Sequence, residues 1–507
     1  MGTAWIGWVA VGILAGSAPN ALAAVSQVQA APQEAAQGDA TVALTYAAAQ
    51  QRIRSNSSLG RAAGYGMQAA RAQADVAAGL NRPTVALDAQ LIRYRKTFDL
   101  SLGDTLDRAQ TELGAAIPGL IADLPGVPGD VLQSVGQRLE AALPEIFAAL
   151  PQDVRLQVDD TTFRPTVTAL QPIYTGGAIP ALRRAAAANV DLAQAKQQEA
   201  VSLEDVNLAR AYFGQVLAAE ALKIARETRD GFDLHLRNAR LLESQGVLSH
   251  AQTLQVEVAR DAAQRQVNRA ELEHDNAVAS LARVVDTNGA VVPTTPLFVN
   301  RDPIGRAGVF LDQASRTNAR LAQAQAGRDL AEAGADLAAS RMKPSVYAFG
   351  TYNLNPDDAL PTEPDWAVGI GARYTLISTV DRRRMLGAAR AQASAAAEVE
   401  RQARDDARLL VTRAYNQAEL ARRQFLSMDS SLEAASENLR VQEVGFREGE
   451  ATAASVVDAR NLLGAARLQR AAAAYEYDLS LAALLAASGS DLTLNDYLQR
   501  EDRISAP

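Results

Sequence analysis

Proline is missing from two long stretches, between Pro180 and Pro293 and again between Pro364 and Pro507, although the chain holds 19 prolines and clusters them elsewhere. A helix interior rejects proline because the ring removes a hydrogen bond and clashes with the preceding turn, so two spans that exclude it can carry very long helices. Within both, apolar residues step by three and four: Val206, Ala209, Phe213, Val216 in the first and Val456, Ala459, Leu463, Ala466 in the second, with Glu, Gln, Arg and Asp between. This is the seam of a helix packed on helices. The chain is 48% hydrophobic but only 5% aromatic, so its apolar surface is built from small side chains that favour close helix packing over a thick globular core.

Each proline-free span is preceded by a different period. From Pro344 the residues Ser345 to Tyr352 alternate as a strand, and after the turn-forming Asn355-Pro356-Asp357-Asp358 a second strand follows. It sets Trp366, Val368, Ile370, Ala372, Tyr374 and Leu376 on one face, against Ala367, Gly369, Gly371, Arg373 and Thr375 on the other. The same plan occurs earlier. Arg82-Pro83-Thr84-Val85-Ala86-Leu87 resembles Lys343-Pro344-Ser345-Val346-Tyr347-Ala348 at an offset of 261, and a partner strand runs from Phe163 to Tyr174. Past the second strands the offset is 203: Pro172-Ile173-Tyr174 aligns with Thr375-Leu376-Ile377, and Gly246 with Gly449. The chain is an internal duplication of strand, strand, helix, helix.

From Gly177 to Gly246 a continuous helix at 1.5 Å per residue would be roughly 100 Å long. The difference between the two offsets is an insertion of 58 residues inside the first hairpin. It carries Pro118, Pro125, Pro128, Pro144 and Pro151 and amphipathic pieces such as Val131 to Leu143, and reads as a small helical cap over the strand tips.

Four strands cannot close a barrel, and an open sheet edge is not tolerated in hydrocarbon, so strands of this kind must pair with those of other copies. Three copies give 12 strands, wider than the roughly eight-stranded size whose interior side chains fill, so the lumen stays open. Trp366 and Tyr374 lie eight residues apart on one face, about 26 Å, which suits aromatic girdles at two membrane interfaces. The competing reading of Trp366 is the core of a soluble sandwich.

Ala4 to Gly16 form an apolar run too short to span a bilayer, and Ala21-Leu22-Ala23 supplies the small-x-small site of a secretory signal peptide, with cleavage expected near Ala23 or Ala24. The first basic residue is Arg52, so the usual positive flank is missing. With no Cys, disulfides, thiolate metal sites and an acylated N-terminal cysteine are excluded. A net charge of −8 speaks against nucleic-acid binding. His235, His250 and His274 are scattered without ligand-spaced partners and read as surface helix positions, so no metal or other cofactor is expected. Gly369-Ile370-Gly371 sits within an alternating strand and is no phosphate loop, and no nucleophile elbow or Walker sequence occurs, so enzyme activity is not expected.

The strand-to-helix junctions Gln171-Pro172-Ile173-Tyr174-Thr175-Gly176-Gly177 and Tyr374-Thr375-Leu376-Ile377, with the turns Glu243-Ser244-Gln245-Gly246-Val247-Leu248-Ser249 and Phe446-Arg447-Glu448-Gly449, resemble in order and spacing the TolC family of outer-membrane export channels. The resemblance covers nearly all of the chain after the leader except the insertion. It implies a mainly α homotrimer: a 12-stranded outer-membrane β-barrel, four strands per subunit, that continues into a long periplasmic α-helical barrel. A periplasmic adaptor and an inner-membrane pump of the RND or ABC class would dock at the far end, for efflux or type I secretion. Gly246 and Gly449 would then mark the turns at the periplasmic mouth. Family members often place charged gate residues just past those glycines; here Gln252 and Ser455 stand at the equivalent positions, Ala451 stands where a gate arginine is common, and Asp458 keeps a carboxylate. Trp366, Tyr374 and Tyr174 are the expected membrane-interface aromatics. The rival from another class is a structural or adhesive coiled-coil trimer, against which the duplicated strand pairs count.

The expected organisation is a signal peptide at 1–23 and a first repeat at 24–289, with an N-terminal helical part, strands near 83–96 and 162–175, the insertion near 98–160 and long helices near 178–286. A second repeat at 290–489 has a helix near 303–342, strands near 344–354 and 364–377 and long helices near 379–488, followed by a tail at 490–507.

Overall fold

The computed structural model describes residues 42–122, 129–151, 153–358 and 364–506; the leader lies outside them. In chain order the elements are β1 (Val42–Leu44), α1 (Tyr46–Asn56), α2 (Ser58–Ala78), β2 (Thr84–Ser101), α3 (Gly103–Ala122), α4 (Gly129–Ala148), β3 (Asp153–Tyr174), α5 (Ala178–Ser244), α6 (His250–Val284), β4 (Val291–Pro293) and β5 (Phe298–Asn300). There follow α7 (Ala307–Thr317), α8 (Ala319–Ser340), β6 (Ser345–Asn353), β7 (Trp366–Arg373), α9 (Arg382–Glu448), α10 (Ala453–Ser488), α11 (Leu494–Leu498) and β8 (Arg503–Ser505).

The two proline-free spans form helix hairpins of matched length. α5 and α9 each run 67 residues, roughly 100 Å, and return as α6 and α10, of 35 and 36 residues. α5 packs on α6 and α8, α9 on α8 and α10, and α10 crosses to α5, which closes a bundle of long helices. Gly176 and Gly177 start α5 with φ of 66° and 98°, and a Cβ on Gly176 would stand 2.6 Å from the Ser340 carbonyl, so the junction admits glycine alone. At the matching junction α9 is capped by the Asp381 carboxylate, which accepts from the amides of Arg383 and Arg384 at 3.0 Å.

About halfway down α5 the bundle thickens into a core where Tyr46 stacks on Phe213 at 5.2 Å and Phe298 meets Tyr477 edge-on at 5.9 Å. Tyr212 Oη donates to the Leu44 carbonyl at 2.7 Å and accepts from the Thr294 and Thr295 amides at 3.0 and 2.9 Å, which pins the parallel pair β1–β4 against α5. The expected tail is built into this core: β8 pairs antiparallel with β5, and Leu494, Tyr497 and Leu498 of α11 are buried.

Several boundaries differ from the sequence expectation for identifiable reasons. The helix expected over 303–342 is two helices, because the Asn318 side chain caps a fresh start by accepting from the Leu321 amide at 3.0 Å. β7 ends at Arg373, short of Tyr374 and Leu376. β2 and β3 run further than expected, to Ser101 and from Asp153, because their pairing continues unbroken through Ser101↔Asp153. The insertion is therefore a long ribbon topped by the helical pair α3 and α4, which pack on each other through Ile117 and Leu143.

Asp478 is fully buried; its Oδ2 accepts from the Phe298 amide at 3.3 Å and its Oδ1 has no partner. Burial pushes its carboxyl pKa well above the ordinary value, against the opposing Phe298 hydrogen bond. Above the ordinary carboxylate pKa the unfolded chain ionises while the folded one keeps its proton, so stability falls as pH rises through that interval. Asp478→Asn is expected to remove this loss, seen as a thermal midpoint that stays flatter from pH 5 to 8 than the parent's.

Candidate functional site

The four longest strands form one antiparallel sheet in the order β2–β3–β6–β7, with β2 and β7 left as open edges. Register places Leu87, Val167, Tyr352 and Trp366 side by side on one face, and in the next rows Val85 with Ala169, Val368 with Gly350, and Ile370 with Ala348. Apart from Gln171, which shares the row of Ala348 and Ile370, these rows are apolar, and the face is exposed in the single chain: Val368 is 76% and Ile370 74% accessible. The other face carries Asp88, Gln90, Arg164, Thr166 and Thr168, with Thr168 Oγ1 donating to Asp88 at 3.2 Å. Tyr347 and Phe349 also lie on it, their rings over Gly371 and Gly369, where a Cβ would come within 3 Å of ring carbons. One face is thus apolar and exposed, the other carries polar side chains besides these two rings, and both edges of the sheet are open.

Trp366 stands at the β7 end remote from the helices, on the apolar face. Tyr174 reaches the same face at the helical end, because a bulge between Pro172 and Tyr174 shifts its register onto Val346. Tyr374 lies just past β7 and is exposed. No helix among the described residues is long and apolar enough to cross a membrane.

At the opposite end of the molecule Gly246 and Gly449 make the two hairpin turns, with φ of 76° and 79°, the left-handed region that favours glycine. Gln252 and Ser455 hold the next helices in place. Gln252 Oε1 accepts from the Ser249 amide at 3.1 Å, closing a capping box on α6. The Ser455 amide donates to Thr452 Oγ1 at 3.1 Å and its own hydroxyl donates to the Thr452 carbonyl at 2.7 Å. Asp458 is exposed on the first turns of α10, and Ala451 packs against the turn, its amide donating to the Gly445 carbonyl at 3.0 Å.

The tip is clasped by groups that the spacing of residues does not single out. Leu236, Ala239, Val256, Leu439, Phe446, Val456 and Leu463 form a small core joining both hairpins. Arg460 enters it from α10 beside Gly231, whose missing side chain leaves the only room for the guanidinium. The Arg460 side chain is 14% exposed, pairs with Glu443 of α9 and lies over the Phe232 ring of α5.

His235 is the correction to the surface reading of the three histidines. It is buried, its Nε2 lies 3.3 Å from the Ala453 carbonyl, and its ring packs edge-on against Phe446 at 4.6 Å. Burial lowers its pKa, the Ala453 hydrogen bond opposes this, and Arg460 adds to the lowering. As pH falls below the ordinary imidazole value the unfolded chain takes up a proton that the folded ring refuses, so tip stability is lost on the acid side. Proteolytic cutting within 235–260 is expected to accelerate between pH 7.5 and 5.5, and His235→Phe to flatten that dependence. His250 differs: it is exposed, and its Nδ1 meets Glu243 across the turn at 2.8 Å.

A family model described as outer membrane efflux protein matches residues 310–490, which span the second repeat. No curated protein matches the chain in sequence. Among solved structures, the outer-membrane channel OprN aligns with a TM-score of 0.67 at 17% identity, over 88% of this chain and 89% of its own. CusC, described as forming a transmembrane channel, aligns with a TM-score of 0.67 at 15% identity over 90% of this chain and 95% of its own. The CmeC outer membrane channel of Campylobacter jejuni aligns with a TM-score of 0.65 at 14% identity, over 90% and 89%. Residues 310–490 thus resemble the outer membrane efflux protein family in sequence, and nearly the whole chain shares the fold of solved outer-membrane channels.

Proposed function

We propose that three copies of this chain assemble into a channel through the outer membrane, and that the channel conducts substrates from a pump that spans the periplasm to the exterior. One observation carries the reading: a four-stranded sheet with two open edges, apolar on one face and polar on the other, mounted on two 67-residue helices. Joined edge to edge, β2 of one copy to β7 of the next, three sheets give 12 strands around an open lumen, with the apolar face to lipid. Trp366 at one rim and Tyr174 and Tyr374 at the other would sit at the two interfaces.

The helices would continue the lumen into the periplasm and narrow it at Gly246 and Gly449, where a periplasmic adaptor and an inner-membrane pump would dock. Asp458, repeated three times around the mouth, would form an acidic ring. No metal, cofactor or catalytic step enters this reading. Purified protein should migrate in detergent as a heat-modifiable trimer and conduct in planar bilayers. A water-soluble monomer with Trp366 shielded from quenchers would overturn the reading.

A further inference from the structure

The insertion in the first hairpin has no place in the channel described so far. β3 pairs with β6 as far as Thr166↔Asn353, and Leu354 and Asn355 still reach the Pro165 and Phe163 carbonyls; beyond Phe163 no further strand lies beside the β2–β3 ribbon among the described residues, roughly 30 Å at 3.3 Å per residue. Both strand pairs enter and leave their helices at the other end, so the ribbon projects from the outer rim. Its outward face changes character there. Below stand Val85, Leu87 and Leu91; beyond stand Arg93 and Arg95, paired with Asp159 at 3.4 and 2.6 Å. Charged pairs on the lipid-side face mark the end of the hydrocarbon, so the outer ribbon and its helices stand outside the membrane.

α3 and α4 bury little of their apolar surface. Ile117 and Leu143 are covered, while Leu113, Leu120, Val135, Leu139 and Ile146 stay exposed, Leu120 at 70% and Ile146 at 58%. Among the described residues the pair makes no substantial contact with the rest of its own chain. Two 20-residue helices with one thin seam cannot hold their shape alone in water. The tethers are short: β2 ends at Ser101 and α3 begins at Gly103; α4 ends at Ala148 and β3 begins at Asp153. The helices are therefore held at the ribbon tip, beyond the rim.

We infer that α3 and α4 of three neighbouring copies pack together through these exposed leucines, isoleucines and valines as a six-helix cap over the outer mouth of the channel. The inference rests on the trimeric reading above. The occupant of each exposed face is the same segment of the next copy, because closure of the ring through β2 and β7 sets three ribbons around one axis, each divided from the next by a β6–β7 pair that stops at the rim. The sizes agree: 12 strands about 4.8 Å apart, tilted by about 40°, make a ring roughly 24 Å across, and six helices spaced about 10 Å apart make one roughly 20 Å between opposing axes. The cap narrows the exit that the barrel alone would leave open.

The chain contains no Cys, so single replacements report without background. In outer membranes, co-expressed Leu120→Cys and Leu139→Cys chains should form covalent dimers under mild oxidation, whereas Ala115→Cys, exposed on the opposite side of α3, should form none with either. Replacing 103–148 by a two-residue turn should leave the heat-modifiable trimer intact and raise single-channel conductance about twofold or more. A trimer that forms but shows no Leu120–Leu139 cross-linking and unchanged conductance overturns the cap, including the case where lipopolysaccharide or another protein covers those faces. Failure to form any trimer overturns the channel reading itself, and the two failures are separately visible.

Discussion

Ile370→Arg is expected to eliminate the assembled channel from the outer membrane. Ile370 stands in the middle of β7 on the apolar face, 74% exposed in the single chain. A basic side chain at the bilayer midplane of a β-barrel costs about 2–4 kcal/mol, and a ring of three copies incurs it three times. Thr351→Arg, on the neighbouring strand but on the opposite face beside Ala367, introduces the same charge into the open lumen. It should assemble as the parent does. Heat-modifiable migration of the two variants side by side is the measurement; equal loss in both would mean that the faces are assigned wrongly.

Glu443→Gln should loosen the closed tip. It leaves the Arg460 guanidinium, 14% exposed, without its carboxylate in the small core that joins the hairpins. Removing one member of a well-buried ion pair costs about 3–5 kcal/mol; Glu443 is 41% exposed, and solvent screening reduces the figure to about 1–2 kcal/mol. The expected result is a higher open probability in bilayers and entry of large antibiotics that the parent excludes. Adding Arg460→Met removes the stranded charge and should restore the closed behaviour. If the double variant is as leaky as the single one, Glu443 acts by some route other than Arg460.

The helical half of this architecture was legible from proline placement and a constant offset, because length and periodicity are local properties of the chain. The equal runs of α5 and α9 follow from the offset between Gly246 and Gly449. The alternating face from Trp366 to Ala372 was legible for the same reason. Contacts across great sequence distance were not. His235 reads as one more polar helix residue until Ala453, 218 positions away, is brought against it, and Gly231 reads as a weak helix position until Arg460 fills the space.

The reach of β2 and β3 was understated because alternation continued past Tyr94 with inverted polarity on the outward face, as charged residues replaced apolar ones. Gln252 and Ser455 were singled out by alignment with the turns, and their capping bonds give both positions a part in starting the next helices.

Equal rods impose a rule on how such a molecule can evolve. α5 and α9 end at the same depth because each holds 67 residues; losing seven from one alone would retract it by roughly 10 Å and leave its turn stranded above its neighbour's. Any change of reach must therefore occur in both halves of the gene at once, so the duplicated rods act as a matched pair of rulers whose common length is set by the gap they bridge.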